Sequence, residues 1–316
     1  LGIPAEPLFR SGRLEMELVV ALTATLLACK GKNLETAESV DAQDRHDFYA
    51  SGSAARAESS EAQADRQKAK TVVMYEIPAP LKDRPEQILK RKGYTVSYNS
   101  ETKNPNWVAW HLTKSHTYGD HQRKNEVFTE DMDVKAPRAT DRDYYNSRYD
   151  RGHMCPAGDN KWDKQAMMES FLFTNVCPQN HGLNKYEWNN LEIACREWAK
   201  TYGAVDIVCG PIYSSGAERF RVGKDSQSSQ KTIGRNKVWV PDAFFKVVLC
   251  RQGKPKAIGF IYRNEGVKQY VDEAVCSVDK VEALTGIDFF PSLDDKIERM
   301  VEAEVRLSDW DNSLIR

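Results

Sequence analysis

The chain has 316 residues, of which 41% are hydrophobic and 29% charged, and its formal net charge is −1. This composition is typical of a folded domain with an ample core, and it excludes a low-complexity disordered chain and a strongly basic one. Because the charges nearly cancel, a site for a polyanion would have to collect its cations on one face.

The first 29 residues indicate export. Arg10 and Arg13 precede an apolar stretch, residues 18–28, which has the length of a signal-peptide core and is too short to span a membrane. Residues 26–29 read LLAC, which resembles the cleavage box of a bacterial lipoprotein; a buried apolar helix is the alternative. We predict a lipoprotein signal segment over residues 1–29. Its lipid anchor at Cys29 would hold the protein in the periplasm, in the outer membrane or on the cell surface.

Residues 30–70 have the composition of a tether. They are rich in Ala, Ser, Glu, Asp and Gln and poor in aliphatic side chains, so they bury too little apolar surface to offset the entropy of ordering. We predict a flexible polar linker, with a polar surface helix over residues 53–70 as the alternative. The folded domain then occupies residues 71–316.

The rest of the chain mixes strand and helix patterns. Alternating residues 95–98 and 107–112 predict a hairpin, with Asn104, Pro105 and Asn106 as its turn. Further strands are predicted over 171–176, 205–209, 239–240, 244–249 and 256–262, and helices over 163–169, 186–202 and 278–285. Because strands and helices interleave without regular βαβ spacing, the pattern favours an α+β domain with a mainly antiparallel sheet.

Six cysteines follow Cys29, and their even number in an exported chain permits three disulfide bonds. They are Cys155, Cys177, Cys195, Cys209, Cys250 and Cys276. Cys209 and Cys250 each end a strand-like run and are a candidate pair between neighbouring strands. Free buried thiols are the alternative. No CxxC pair is present, so the cysteines do not indicate a zinc cluster.

The most informative stretch is residues 149–160, which read YDRGHMCPAGDN and place His153 after a glycine. Further on, residues 174–179 read TNVCPQ, and they lead into Asn184 and then WNNLE at residues 188–192. This combination resembles the DNA/RNA non-specific endonuclease family, the ββα-metal nucleases. The resemblance covers about residues 75–293. It implies a central sheet flanked by helices, with a ββα-metal finger over about residues 149–198.

The resemblance also implies roles for three residues. His153 stands where the family has its general base, and an imidazole is suited to that task because its ordinary pKa of about 6.5 leaves it neutral at pH 7. Asn184 matches the family's metal-binding asparagine; Mg²⁺, with Mn²⁺ as an alternative, prefers such oxygen ligands. A helix cap is the other interpretation of Asn184. Glu192 matches a glutamate that orients a metal-bound water, and eight residues place it on the same helix face as Asn184. An exposed helix carboxylate is the alternative for Glu192.

Four further residues are candidates for positioning or for binding phosphate. Asn175 matches an asparagine that supports the metal ligand or the phosphate, and a turn-forming asparagine is the alternative. The resemblance implies an arginine upstream of the finger that stabilises phosphoryl charge. We assign this role to Arg123 because its planar donors suit phosphate, with Lys124 or a solvated loop as the alternatives. Arg151 would either contact phosphate or brace the finger through an ion pair.

The implied function is metal-dependent endonucleolytic hydrolysis of DNA and RNA. By the resemblance, cleavage has no sequence preference and leaves 5′-phosphate and 3′-hydroxyl ends. Two alternatives stay open at this stage. One is a surface lipoprotein that binds nucleic acid without cutting it, and the other is a hydrolase in which Cys155 or Cys177 is the nucleophile beside His153.

Overall fold

The computed structural model describes residues 73–213 and 230–311. The predicted signal segment, the lipid anchor at Cys29 and the linker therefore lie outside the described residues. The chain divides after Ala69, and every described residue belongs to the compact unit that begins at Lys70. In the part of the chain that is described, no helix combines the length and the apolar character that crossing a membrane requires.

Seven of the strands form one antiparallel sheet. In chain order the strands are β1 Gln87–Lys90, β2 Thr95–Asn99, β3 Asn104–Thr113, β4 Asp150–His153, β5 Val176–Gln179, β6 Ala204–Ile212, β7 Thr232–Ile233, β8 Val238–Trp239, β9 Ala243–Cys250, β10 Lys256–Arg263 and β11 Val275–Cys276. The large sheet has the order β1-β2-β3-β6-β9-β10-β11, and every neighbouring pair is antiparallel. Strands β4 and β5 form a separate pair, as do β7 and β8.

Helices cover both faces of the large sheet. They are α1 Asp141–Tyr144, α2 Lys164–Ser170, α3 His181–Lys185, α4 Glu187–Tyr202, α5 Val271–Ala274, α6 Val278–Thr285 and α7 Asp295–Ala303. Helix α4 packs on one face through Trp188, Leu191 and Trp198, and α6 and α7 pack on the other. Strand β9 is consequently buried along its whole length. The predicted α+β class, with a mainly antiparallel sheet flanked by helices, is confirmed.

The ββα-metal finger predicted from the resemblance is present. Strands β4 and β5 pair with Gly152 opposite Cys177 and His153 opposite Val176, and α3 and α4 follow directly. A Cβ atom on Gly152 would lie 2.3 Å from Oε1 of Gln179, so only glycine allows this close approach. The glycine next to the histidine is therefore a packing requirement of the finger.

Two local predictions are wrong. Residues 104–106 belong to β3, and the hairpin turns earlier because Oδ1 of Asn99 accepts hydrogen bonds from the amides of Glu101 and Thr102. Residues 171–176 are not a strand: a 3₁₀ turn spans Phe173–Asn175, and β5 begins only at Val176. The amide of Asn175 closes that turn on the carbonyl of Leu172.

The disulfide prediction is also wrong for the residues that the structure describes. All six cysteines after Cys29 are buried free thiols. Cys209 on β6 lies opposite Lys246 of β9, which is four positions from Cys250. The suggested pair is therefore separated along the strand direction, although both residues lie on neighbouring strands.

Candidate active site

His153 ends strand β4 in an aromatic enclosure. Its ring centre lies 5.1 Å from that of Phe128 and 4.9 Å from that of Phe171, which it meets edge-on. The side chain is only 9% exposed, and its backbone oxygen accepts a hydrogen bond from Nε1 of Trp188. Burial, together with the charge of Arg123, lowers the pKa of His153 to about 3. The imidazole is therefore neutral near pH 7, which is the protonation state that a general base needs.

Asn184 is held by a carboxylate. Its Nδ2 donates to Oδ2 of Asp150 at 2.9 Å, and the same oxygen lies 2.9 Å from Nδ1 of His181. Because a carboxylate only accepts, the amide NH₂ of Asn184 must face Asp150, which leaves Oδ1 for another partner. Asn184 lies inside α3, whose cap is Asn180, so the helix-cap interpretation of Asn184 is wrong.

Glu192 reaches the same site from α4. The sequence predicted that one helix carries both Asn184 and Glu192, but Tyr186 separates α3 from α4. Both side chains nevertheless line one cavity. Burial raises the pKa of Glu192 to about 7, against the opposing charges of Lys246, Arg196 and Arg123. This carboxyl group is therefore a partly buried titrating group in the cavity wall, and it is not the fully exposed helix carboxylate of the alternative interpretation.

The cavity has a volume of about 550 Å³ and is rich in cations. Its lining includes five lysines and arginines, which are Arg123, Arg151, Lys161, Lys185 and Arg196, against the two carboxylates of Asp150 and Glu192. A chain of net charge −1 thus gathers positive charge around His153, as binding of a polyanion requires. The composition alone could not predict this arrangement.

Arg123 and Lys124, the two candidate phosphate-binding cations before the finger, differ in whether they line the cavity. Arg123 lines the cavity and acts on His153 through its charge, whereas the exposed Lys124 does not line it. Both belong to a 3₁₀ turn over Arg123–Asn125, in which successive side chains point about 120° apart. The structure therefore brings Arg123 to the site and leaves Lys124 outside the cavity wall, and a substrate-binding role for Lys124 stays a prediction.

Arg151 braces the finger. Its Nε donates to Oδ1 of Asp141 at 2.7 Å, and its guanidinium lies 5.6 Å from the ring centre of Tyr144 and 5.8 Å from that of Phe128. The side chain also lines the cavity. Of the two predicted roles, the ion pair is the one observed, and the arginine adds its charge to the cavity rim.

Asn175 does not line the cavity, and its predicted role in supporting the metal ligand or the phosphate stays a prediction. The side chain is fully buried; its Nδ2 donates to the carbonyls of Cys155 and Ser170, and its Oδ1 accepts from the amide of Cys155. Its backbone oxygen accepts from the amide of Met154. Asn175 thereby fixes the backbone that immediately follows His153, which is a positioning role.

Lys246 is a functional candidate that the sequence reasoning missed. It is fully buried on β9, with Nζ 4.4 Å from the ring centre of Trp188 and 5.4 Å from that of Trp110. Nζ has no hydrogen-bond acceptor among the described residues. The available signal was a lysine inside the apolar run AFFKVVLC, because an unpaired buried cation is rare.

Asp159 and Arg196 were missed as well. Arg196 lines the cavity and donates from Nη1 to Oδ1 of Asp159 at 2.9 Å, while Oδ2 of Asp159 accepts from Nε1 of Trp110. Asp159 lies within the stretch 149–160 on which the sequence analysis relied, but only the fold brings it to Arg196 on α4. The pair fixes a guanidinium at the cavity wall.

The structure contradicts a cysteine nucleophile. Cys155 and Cys177 are completely buried, and burial raises the pKa of each thiol well above its ordinary value. A nucleophilic cysteine needs access to substrate and a stabilised thiolate. Neither thiol has them, so His153 has no cysteine partner for such chemistry.

The donors at the site fit a hard divalent cation. Oδ1 of Asn184 is free of the Asp150 contact, and the carboxylates of Asp150 and Glu192 border the same cavity. Oxygen donors without thiolates suit Mg²⁺ or Mn²⁺, and Mg²⁺ commonly keeps several waters around one or two protein ligands. Asn184 is therefore the residue that would hold the ion.

A family model described as DNA/RNA non-specific endonuclease matches residues 74–296. The chain belongs to this family, and the resemblance noted in the sequence is confirmed. The match includes β1–β11, α1–α6 and every candidate site residue. The cavity and the finger thus lie within the region that the family model matches.

Named relatives are nucleases. The chain is 34% identical to mitochondrial nuclease EXOG of Xenopus laevis over 64% of this chain and 58% of that protein. It is 31% identical to human mitochondrial endonuclease G over 66% of this chain and 70% of that protein. The matched region spans little more than half the length of the EXOG relatives.

A solved structure shares the fold. The crystal structure of the EndoG/EndoGI complex, described as showing the mechanism of EndoG inhibition, superposes with a TM-score of 0.63 at 27% identity. The match covers 70% of this chain and 91% of the other chain.

Proposed function

We propose that this protein is a metal-dependent endonuclease that hydrolyses the phosphodiester bonds of DNA and RNA. The proposal rests on one observation above all. His153, Asn184 with its Asp150 contact, Glu192 and Arg123 line a single cation-rich cavity, although they come from four separate segments of the chain. Membership of the non-specific endonuclease family and the names of the relatives support the same activity.

Each of these residues has a different role in the proposed hydrolysis. The neutral imidazole of His153 removes a proton from a water molecule, whose oxygen then attacks phosphorus in line with the leaving 3′ oxygen. Glu192, once ionised, orients water next to Asn184, and Arg123 neutralises charge on the phosphoryl oxygens. A Mg²⁺ or Mn²⁺ ion on Asn184 would supply further charge stabilisation at the phosphate and the departing oxygen. Breaking the P–O3′ bond, with transfer of a proton from solvent water to the departing oxygen, leaves a 5′-phosphate and a 3′-hydroxyl.

The charged groups at the cavity favour cleavage of both DNA and RNA without sequence preference. The cations at the cavity, Arg123, Lys161 and Lys185, form no ion pairs with other described residues and suit backbone phosphate, which carries no sequence information. None of the proposed steps uses or rejects a 2′-hydroxyl, so DNA and RNA are both substrates. Export through residues 1–29 and anchoring at Cys29 stay predictions. Such a location would keep a nuclease of this kind away from the genome of its own cell.

Digestion of supercoiled plasmid and of RNA by the full chain, with Mg²⁺, with Mn²⁺ and with EDTA, tests the proposal. We expect both substrates to be cut with either metal and to stay intact in EDTA, and end-labelling to find 5′-phosphates. Gel-shift binding of nucleic acid by a folded protein that cuts neither substrate under any metal condition would overturn the proposal. That outcome would establish the non-catalytic binding protein instead.

A further inference from the structure

Three carboxylates meet on the face of the sheet opposite the active site. Asp279 and Glu282 come from α6 and Glu302 from α7, and one carboxylate oxygen from each lies within 4.8 Å of the others. Helices α6 and α7 pack on the sheet face that α4 does not cover. This acidic cluster, which consists of Asp279, Glu282 and Glu302, is therefore separate from the cavity around His153.

Glu302 is the unusual member of the cluster. It is only 6% exposed, and its Oε1 is buried with no hydrogen-bond partner among the residues described. The charges with the largest effect on this carboxyl are negative and belong to Glu282, Glu298, Asp279 and Asp288. Burial and these neighbours raise the pKa of Glu302 to about 8. A buried carboxylate among like charges is costly unless a cation or a proton compensates it.

The other two carboxylates are arranged to complete a site. Oε1 of Glu282 accepts a hydrogen bond from the backbone amide of Phe289 at 2.8 Å, which fixes its carboxylate. Asp279 is exposed, so the cluster is open to solvent on one side and closed on the other by Glu302. An ion would enter past Asp279 and meet the unpartnered oxygen of Glu302.

We propose that Asp279, Glu282 and Glu302 bind a calcium ion that joins α6 to α7. Calcium takes only oxygen ligands, at about 2.3–2.6 Å, so its ligand atoms lie no more than about 5 Å apart, as the three carboxylate oxygens do. Three carboxylates offset the charge of the ion, and water completes the coordination on the exposed side. The bound ion supplies the missing partner of Glu302 and removes the repulsion within the cluster.

The test is calcium binding in the absence of nucleic acid, in an Asn184→Ala background that removes the ligand at the other candidate metal site. We expect isothermal titration calorimetry of the full chain to show one Ca²⁺ per molecule at this cluster. We also expect saturating Ca²⁺ to raise Tm by about 5 °C or more. The double substitution Glu282→Gln with Glu302→Gln should abolish both effects, and this variant should fold because it removes like charges.

A matched control replaces two exposed carboxylates of α5, as Asp272→Asn with Glu273→Gln, and should keep the full calcium response. Absence of any calcium effect on the parent protein would overturn the proposal and indicate that the cluster is compensated by protons. An equal rise in Tm in the Glu282/Glu302 variant would overturn it as well. Neither outcome depends on nuclease activity, so this test is separate from that of the proposed function.

Discussion

Nε1 of Trp188 donates a hydrogen bond to the backbone oxygen of His153, 3.3 Å away. Trp188 lies one helical turn before Glu192 on α4, so this contact joins the helix of the partly buried carboxyl group to the strand of the imidazole. The same indole lies against the ammonium group of Lys246. His153 and Glu192 are thus connected through Trp188, which contacts the backbone of the first and lies on the helix of the second.

The first prediction concerns the general base. His153→Ala removes the proton acceptor and should lower the rate of plasmid cleavage by about 10²–10⁴-fold or more. The matched control is His181→Ala, which removes the other histidine of the cavity, an exposed side chain that contacts Asp150. We expect the control to retain most of its activity. Comparable loss in both variants, each with an unchanged thermal melt, would contradict the assignment of His153.

The second prediction concerns the orientation of the proposed metal ligand. Asp150→Ala frees the amide of Asn184 to rotate and should weaken activation by Mg²⁺ by about 10–100-fold, as loss of such supporting contacts does elsewhere. The concentration of Mg²⁺ that gives half-maximal cleavage is the quantity to measure. Asn189→Ala, at another position in the cavity wall, is the control and should leave that concentration unchanged. An unaltered Mg²⁺ requirement in Asp150→Ala would show that the carboxylate does not position Asn184.

The sequence identified individual residues of the finger more reliably than it identified which residues lie close to them in the folded protein. His153 and Asn184 were identified because their side-chain chemistry matches a spaced motif, and the structure places both in one cavity. Lys246 and Arg196 were missed because their relevance depends on packing between β9, α4 and the finger, which a linear pattern does not show. The hydrogen bonds of Asn175 were not predicted, because an asparagine beside a motif says nothing about which way its side chain faces.

The secondary-structure predictions also succeeded where a local pattern was enough and failed where it was not. Strands 205–209, 244–249 and 256–262 and helix 278–285 were predicted because a long apolar or amphipathic period is a local property. The turn set by Asn99 was not, because a single side-chain contact decides it. The break at Tyr186 was not either, because it lies in the backbone angles of that residue, φ −113° and ψ −86°. The predicted pairing of Cys209 with Cys250 failed because it depends on the register between two strands, and that register is a property of the assembled sheet.

The third prediction tests the positioning role of Asn175 through stability. Asn175→Ala leaves the buried amide and carbonyl of Cys155 and the carbonyl of Ser170 without their partner, which should cost about 3 kcal/mol or more of unfolding free energy. Urea denaturation measures this loss. The exposed Asn190 of α4 provides the control, because Asn190→Ala should change stability by no more than about 0.5 kcal/mol. Equal stability of the two variants would exclude a bracing role.

The fourth prediction concerns the pH dependence of cleavage. The pKa of Glu192 is raised to about 7, so its carboxyl group is protonated below that pH and kcat/KM should rise as pH increases through about 7. His153, with a pKa of about 3, is neutral throughout this range, so its titration does not change kcat/KM there. Glu192→Gln should lower the rate and remove the rise near pH 7. A limb that persists unchanged in this variant would have to come from another group.

The last prediction assigns Lys246 an electrostatic effect on Glu192. The Lys246 ammonium favours the ionised carboxyl and lowers its pKa, against the larger opposing effect of burial. Lys246→Met keeps a long apolar side chain against Trp188 and Trp110 but removes the charge, so the acid limb of kcat/KM should move upward by about one pH unit. Lys200→Met, which removes a partly exposed lysine paired with Glu197 on α4, should leave the limb in place. A limb that stays near pH 7 in Lys246→Met, with rate loss at every pH, would instead mean that the lysine acts only through packing.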